Sequence, residues 1–118
     1  MPRRVTVAEL EAAITVLNEL TGSPLTPYRK DGDSFTPNAG NYHLSRAYGG
    51  FALHQMADHG TGTRDVLYSG HVPARELLNR IHAYRYGVEV ARHAQKRIAA
   101  LEQDNLALLR DILAPLAD

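Results

Sequence analysis

The 118 residues contain no cysteine, which excludes disulfides, thiolate metal sites and a cysteine nucleophile, and suits a reducing compartment. Net charge is absent as well. Thirteen basic residues balance thirteen acidic ones, so the chain lacks a global electrostatic signature of nucleic-acid or membrane binding. After the basic start Met1-Pro2-Arg3-Arg4, Glu9, Glu11 and Glu19 interrupt the apolar residues, leaving no readable signal peptide or membrane span. Ser45 and Ser69 lack a glycine-x-serine-x-glycine elbow. The glycines around Thr61 lack the lysine and spacing of a phosphate-binding loop, and the six histidines show no His-x-x-x-His helical zinc spacing. Internal repeats, low-complexity tracts and a helix-turn-helix pattern are missing too. These absences lead us to expect a soluble cytoplasmic protein that is not an enzyme and has neither metal nor cofactor.

What is present reads as one small domain, near the size at which partners often help. Thr6-Val7-Ala8-Glu9 is a capping-box pattern, and Leu10, Ala13, Ile14, Leu17 and Leu20 follow at helical spacing until Gly22 and Pro24 end the helix. Residues 23–40, rich in Pro, Gly, Asp and Thr, read as a surface loop. Tyr42 to Tyr48 and Phe51 to Met56 read as strands joined by a Gly49-Gly50 hairpin turn. A glycine-rich loop from Ala57 to Thr63 precedes a third strand from Asp65 to Tyr68. Pro73 suits the first position of a helix that continues through Leu77, Ile81, Tyr84 and Val88, with Gly87 as a place for a break, a kink or a close neighbour. Ile98, Leu101, Asn105, Leu108 and Ile112 recur at 3-4-3-4 spacing, a short coiled-coil seam with one polar position. The expected architecture is therefore α+β: an amino-terminal helix, a three-stranded antiparallel sheet and a long carboxy-terminal helix. Residues 1–87 would form the core and 88–118 a helical oligomerisation tail, with self-association covering its apolar stripe.

Charge is uneven within the neutral total. Arg75, Arg80, Arg85, Arg92, Lys96 and Arg97 face only Glu76 and Glu89, whereas Asp31, Asp33, Asp58 and Asp65 outnumber Arg46 and Arg64 earlier in the chain. Tyrosines at 42, 48, 68, 84 and 86 offer flat faces for a base, and Arg46, Arg75 and Arg80 offer forks that match phosphate oxygens. The helix start at Pro73 adds free amides and a positive dipole end beside Arg75. His43 and His71 are candidate hydrogen-bonding partners of such a ligand. Two readings stay open for Tyr42 and Tyr48, placed on one strand face: core packing or ligand stacking. The aspartates at 58 and 65 read first as turn formers.

Leu17-Asn18-Glu19-Leu20-Thr21-Gly22, Gly40-Asn41-Tyr42-His43-Leu44-Ser45, Ala47-Tyr48-Gly49-Gly50 and Gly70-His71-Val72-Pro73-Ala74-Arg75-Glu76-Leu77 together resemble a group of small bacteriophage proteins. The resemblance covers roughly residues 10–87 and points to the Thoeris anti-defence proteins of the first type. Those are signal sponges that bind a cyclic ADP-ribose isomer, and in some members cyclic oligonucleotides, without cleaving them. Their fold is a small sheet with helices, assembled as dimers or higher oligomers with ligand held between subunits. The resemblance implies a homo-oligomer in the host cytoplasm during infection, a stacking role for Tyr48 and a phosphate-facing role for Arg75. It puts a base-reading position near Asp58 and a second helix arginine near Asn79 or Arg80, where this chain departs from the pattern. His43, Arg46 and His71 would complete the pocket. Two other classes compete: an inhibitor of host defence such as an anti-CRISPR, binding protein through its tail, and a small DNA-binding regulator using the Arg75–Arg97 face. Zero net charge counts against the regulator, and nucleic acid is not expected as a partner.

Overall fold

The computed structural model of the chain describes residues 3–58 and 62–116. Its elements are α1 (Val7–Thr21), β1 (Tyr28–Asp31), β2 (Ser34–Pro37), β3 (Tyr42–Ala47), β4 (Gly50–Met56), β5 (Thr63–Asp65) and α2 (Ala74–Leu113), the last followed by a short 3-10 turn. The α+β architecture expected from the sequence is present. The chain divides into two units, residues 1–85 and residues 86–118. Among the described residues no helix is long and apolar enough to cross a membrane.

The first helix forms as its sequence dictates. Thr6 accepts from the Glu9 amide while the Glu9 carboxylate accepts from the Thr6 amide, and Gly22 closes the other end at φ 68°. Leu10, Ile14 and Leu17 are its buried stripe. They pack with Val5, Tyr42, Leu53, Val66, Leu77 and Ile81 into one apolar cluster, so α1 and the first turns of α2 cover one face of the sheet. Asn18, also buried, donates to the Tyr42 carbonyl at 2.9 Å and accepts from the Tyr42 amide at 2.8 Å. One side chain thereby satisfies both backbone groups of the first β3 residue and fixes α1 to that edge.

The three-stranded sheet has the order β3-β4-β5, antiparallel throughout. Its hairpin turn is Tyr48-Gly49 rather than the expected Gly49-Gly50, with Ala47 opposite Gly50. Both turn residues have positive φ, 55° at Tyr48 and 73° at Gly49, the left-handed pair that a two-residue hairpin loop requires. Gly50 serves a different need. Phe51 and Val72 exchange two backbone hydrogen bonds of 2.8 Å, which brings residues 71–72 against β4. A Cβ on Gly50 would lie 3.0 Å from the His71 carbonyl carbon. The diglycine therefore divides its labour between a turn and a close approach.

Three further expectations are corrected. The predicted loop 23–40 carries the β1–β2 hairpin, whose strands are mostly exposed and so show no alternation of apolar and polar residues for periodicity to detect. Asn38 ties its base, donating to the Thr26 carbonyl at 3.0 Å and accepting from Arg29 at 2.7 Å. The third strand runs over Thr63–Asp65 instead of Asp65 to Tyr68. Beyond Asp65 the chain curls: the Tyr68 amide donates to the Asp65 carbonyl at 3.3 Å and the Gly70 amide to the Asp65 carboxylate at 2.8 Å. Finally, α2 continues past Gly87 without a break, and nothing lies within 4 Å of where its Cβ would be. The His59-Gly60-Thr61 part of the predicted glycine-rich loop lies outside the described residues.

Candidate functional site

Within residues 1–85 a cleft of about 710 Å³ opens where the segment entering α1, the β3–β4 turn and the start of α2 meet. Such a volume suits a small ligand. Arg3, Arg4 and Arg75 line it together with Thr6, Gly49 and Phe51, and no acidic residue does. Arg3 is neutralised by Glu9, and the Arg75 guanidinium donates to the Arg3 carbonyl. Arg4 and Arg75 have no carboxylate partner among the described residues. Arg46 stands at the same end of the sheet, its guanidinium carbon 5.8 Å from the centre of the Phe51 ring, a cation–π distance. In α1 the Thr6 side chain caps the Glu9 amide, whereas among the described residues no side chain caps the first-turn amides of α2. Unneutralised guanidinium groups beside an uncapped helix start make an anion-accepting surface.

The second sheet face carries a row of imidazoles. Register pairs His43 with His54, and their rings meet edge to face at 6.0 Å. The His54 ring meets that of His71 at 5.9 Å, and His71 meets Tyr48 at 5.8 Å. His71 Nε2 lies 2.9 Å from Ser45 Oγ, while His43 Nδ1 lies 3.2 Å from Asn41 Oδ1. Fully buried Ala52, the register partner of Ser45 on the middle strand, has only a methyl group, which leaves room for the His71 ring. Burial, and then the neighbouring His54, hold the His43 imidazole below the ordinary histidine range, with Asn41 acting in the other direction. Ser45 and His71 have the spacing of a nucleophile and a base, but no carboxylate orients His71 among the described residues. Among those residues no group of three or more histidine, aspartate or glutamate side chains is arranged to hold a metal ion.

Tyr48 joins the two features. It shares the turn with Gly49 at the cleft and its ring touches His71, yet 98% of the residue is exposed. A side-chain-bearing residue at φ 55° is strained by ~1–2 kcal/mol, and packing within the chain returns almost nothing to offset it. Tyr68 repeats the combination at φ 52° and 87% exposure.

The predicted site residues therefore separate into groups. Arg75 lines the cleft, and Arg46 and Tyr48 stand at the same turn. His71 and His43 lie along the imidazole row, His43 at its far end. Asp58 lies beside Gln55 and Arg64 beyond the other end of β4, a strand that spans about 20 Å at strand rise. Arg80 is paired with Glu76 on α2 at 2.7 Å. Tyr42 does not share a face with Tyr48. It is buried, its hydroxyl 2.9 Å from that of Tyr84, and burial and this hydrogen bond push its pKa up to about 12. Tyr42 is core and Tyr48 is surface because Tyr48 belongs to the turn, outside the strand alternation. Sequence reasoning missed Arg4 and His54. The basic start was visible without its destination, and the His43–His54 pair is legible only with the correct turn.

No family model matches the chain, and no curated protein or solved structure matches it significantly.

Proposed function

We propose that this protein binds a cyclic nucleotide signal without cleaving it, and that a phage uses it to sequester such a signal from host defence. The ligand class is a cyclic ADP-ribose isomer or a cyclic oligonucleotide. The observation that carries the reading is the acid-free arginine cleft together with the strained, exposed Tyr48, the chain neighbour of Gly49 in the cleft lining. In this reading Arg75 and Arg4 hold phosphate, helped by the first-turn amides of α2, and Tyr48 stacks on a base. Arg46 adds charge beside Phe51, while His71 orients the Tyr48 ring and His43 ends the imidazole row. Asp58 and Arg80 have no role here, because one follows the far end of β4 and the other already has a carboxylate partner.

Isothermal titration against a panel of cyclic ADP-ribose isomers and cyclic di- and trinucleotides tests the reading. One class should bind, and the recovered ligand should be intact by mass spectrometry. Arg75→Ala should weaken that binding about 10- to 100-fold, the range for losing a hydrogen bond to a charged group. If the folded protein binds no member of the panel, the reading fails.

A further inference from the structure

From Tyr86 onward no described residue is buried, and Ile98, Leu101, Leu108 and Ile112 are each 55–60% exposed. A helix of this length in water draws most of its stability from packing an apolar face, and within residues 86–116 nothing supplies that packing. The seam has a definite grammar. With Ile98 at heptad position a, the a positions from 91 to 112 read Ala91, Ile98, Asn105 and Ile112, and the d positions read Ala94, Leu101 and Leu108. Isoleucine at a with leucine at d favours two parallel strands.

We propose that residues 91–112 form a parallel, in-register, two-stranded coiled coil with a second copy of this chain. Asn105 supports the direction. In register its amide faces the same amide of the other copy, and each side chain both donates and accepts. In an antiparallel pair an a position faces d, so Asn105 would meet leucine and remain unsatisfied. Charge supports it independently. Position g in one heptad faces e of the following heptad in a parallel partner, which sets Arg97 against Glu102 of the other copy. Neither has an ion-pair partner among the described residues of its own chain. This inference uses the tail alone and stands or falls separately from the nucleotide reading.

Because the chain has no cysteine, a single introduced thiol reports direction cleanly. In a parallel in-register pair, Ile98→Cys lies opposite its own copy, within the ~4.4–6.8 Å between Cα atoms that a disulfide spans. In an antiparallel pair with Asn105 opposite Leu101, position 98 faces position 108 instead, and its two copies are about 15 Å apart along the axis. Oxidation should therefore cross-link full-length Ile98→Cys to itself, and Ile112→Cys to itself. Light scattering on the unmodified chain at micromolar concentration should give twice the chain mass. Leu101→Asp with Leu108→Asp should reduce that mass to one chain while the near-ultraviolet dichroism of residues 1–85 is kept. A monomeric unmodified chain, a trimer, a dimer that survives the double substitution, or cross-linking only between mixed Ile98→Cys and Leu108→Cys chains would each overturn the proposal.

Discussion

Among the described residues the chain buries eleven hydrophobic side chains between Val5 and Ile81 and none from Tyr86 onward. Helix α2 belongs to both regions. Its first turns set Leu77 and Ile81 at zero exposure in the cluster, whereas its later turns hold isoleucine and leucine out in water. The difference shows that helicity and burial are separate problems. Residues 1–85 solve both internally, with Asn18 and Tyr84 completing the polar side of the packing. The second region has the pattern for burial without the partner. Tyr48 is a smaller case of the same kind inside the first region, because its ring is ordered by a turn and left exposed.

The largest effects should separate the two regions. Leu53→Ala removes a fully buried side chain and should cost about 2–5 kcal/mol in urea unfolding. Leu101→Ala should leave the unfolding of residues 1–85 within ~0.5 kcal/mol, with any further loss depending on protein concentration. A concentration-independent loss of core size at Leu101 would break the comparison.

The next effect probes the polar part of the core. Folding raises the Tyr42 pKa from 10.0 to about 12, so the native state holds that proton more tightly than the unfolded chain does. The corresponding stability is complete below pH 10 and is lost as pH rises through 12, in total roughly 2–3 kcal/mol. Urea titrations across that interval should show the decline, and Tyr42→Phe should remove its tyrosine-specific part. A pH-independent stability from 9 to 12 would contradict the burial assigned to this hydroxyl.

Gly50→Ala should come next, at about 1–3 kcal/mol, because the added methyl meets the backbone of His71 and Val72 at 3.0–3.1 Å. Thermal melts would check it, and no change would mean that residues 71–72 can move away from β4. The smallest effect has the opposite sign. Tyr48→Asn gives the turn a residue that tolerates φ 55°, ahead of Gly49, and should stabilise the fold by ~0.5–1 kcal/mol. The same substitution should weaken nucleotide binding by the ~1–3 kcal/mol of a lost stacking face. Losing stability instead would mean that the Tyr48 contact with His71 outweighs its backbone strain.

Much of the fold was legible because it rests on local chemistry. Thr6, Glu9 and Gly22 mark the ends of α1, and Pro73 marks the start of α2 to within one residue. Strand identity in β3 and β4 was legible from composition, but register was not. A Gly49-Gly50 turn would have set His43 opposite Met56, whereas the Tyr48-Gly49 turn sets it opposite His54. The shift of two residues keeps every side chain on its face, so hydrophobic alternation could not detect it. The β1–β2 hairpin was illegible for a related reason, since mostly exposed strands carry no burial signal. At the candidate site, Arg75 was visible as a helix-start arginine. Arg4 and the Ser45–His71 contact were not, because each depends on segments far apart in sequence.

By itself the sequence determined what nearest neighbours along the chain can enforce: where the helices begin, the strand character of β3 and β4, and the 3-4 spacing of the exposed seam. Only the tertiary structure decided the roles of Gly49, Gly50, Tyr42 and Tyr48. Gly49 bends the chain, while Gly50 makes room for Val72. Tyr42 enters the core through Asn18 and Tyr84, and Tyr48 is left at the cleft with a strained backbone. The physical reason differs by pair. The β3–β4 register places Tyr48 and Gly49 in the turn, whereas Gly50 and Tyr42 meet segments from elsewhere in the chain. Neither free energy is written in the residues alongside.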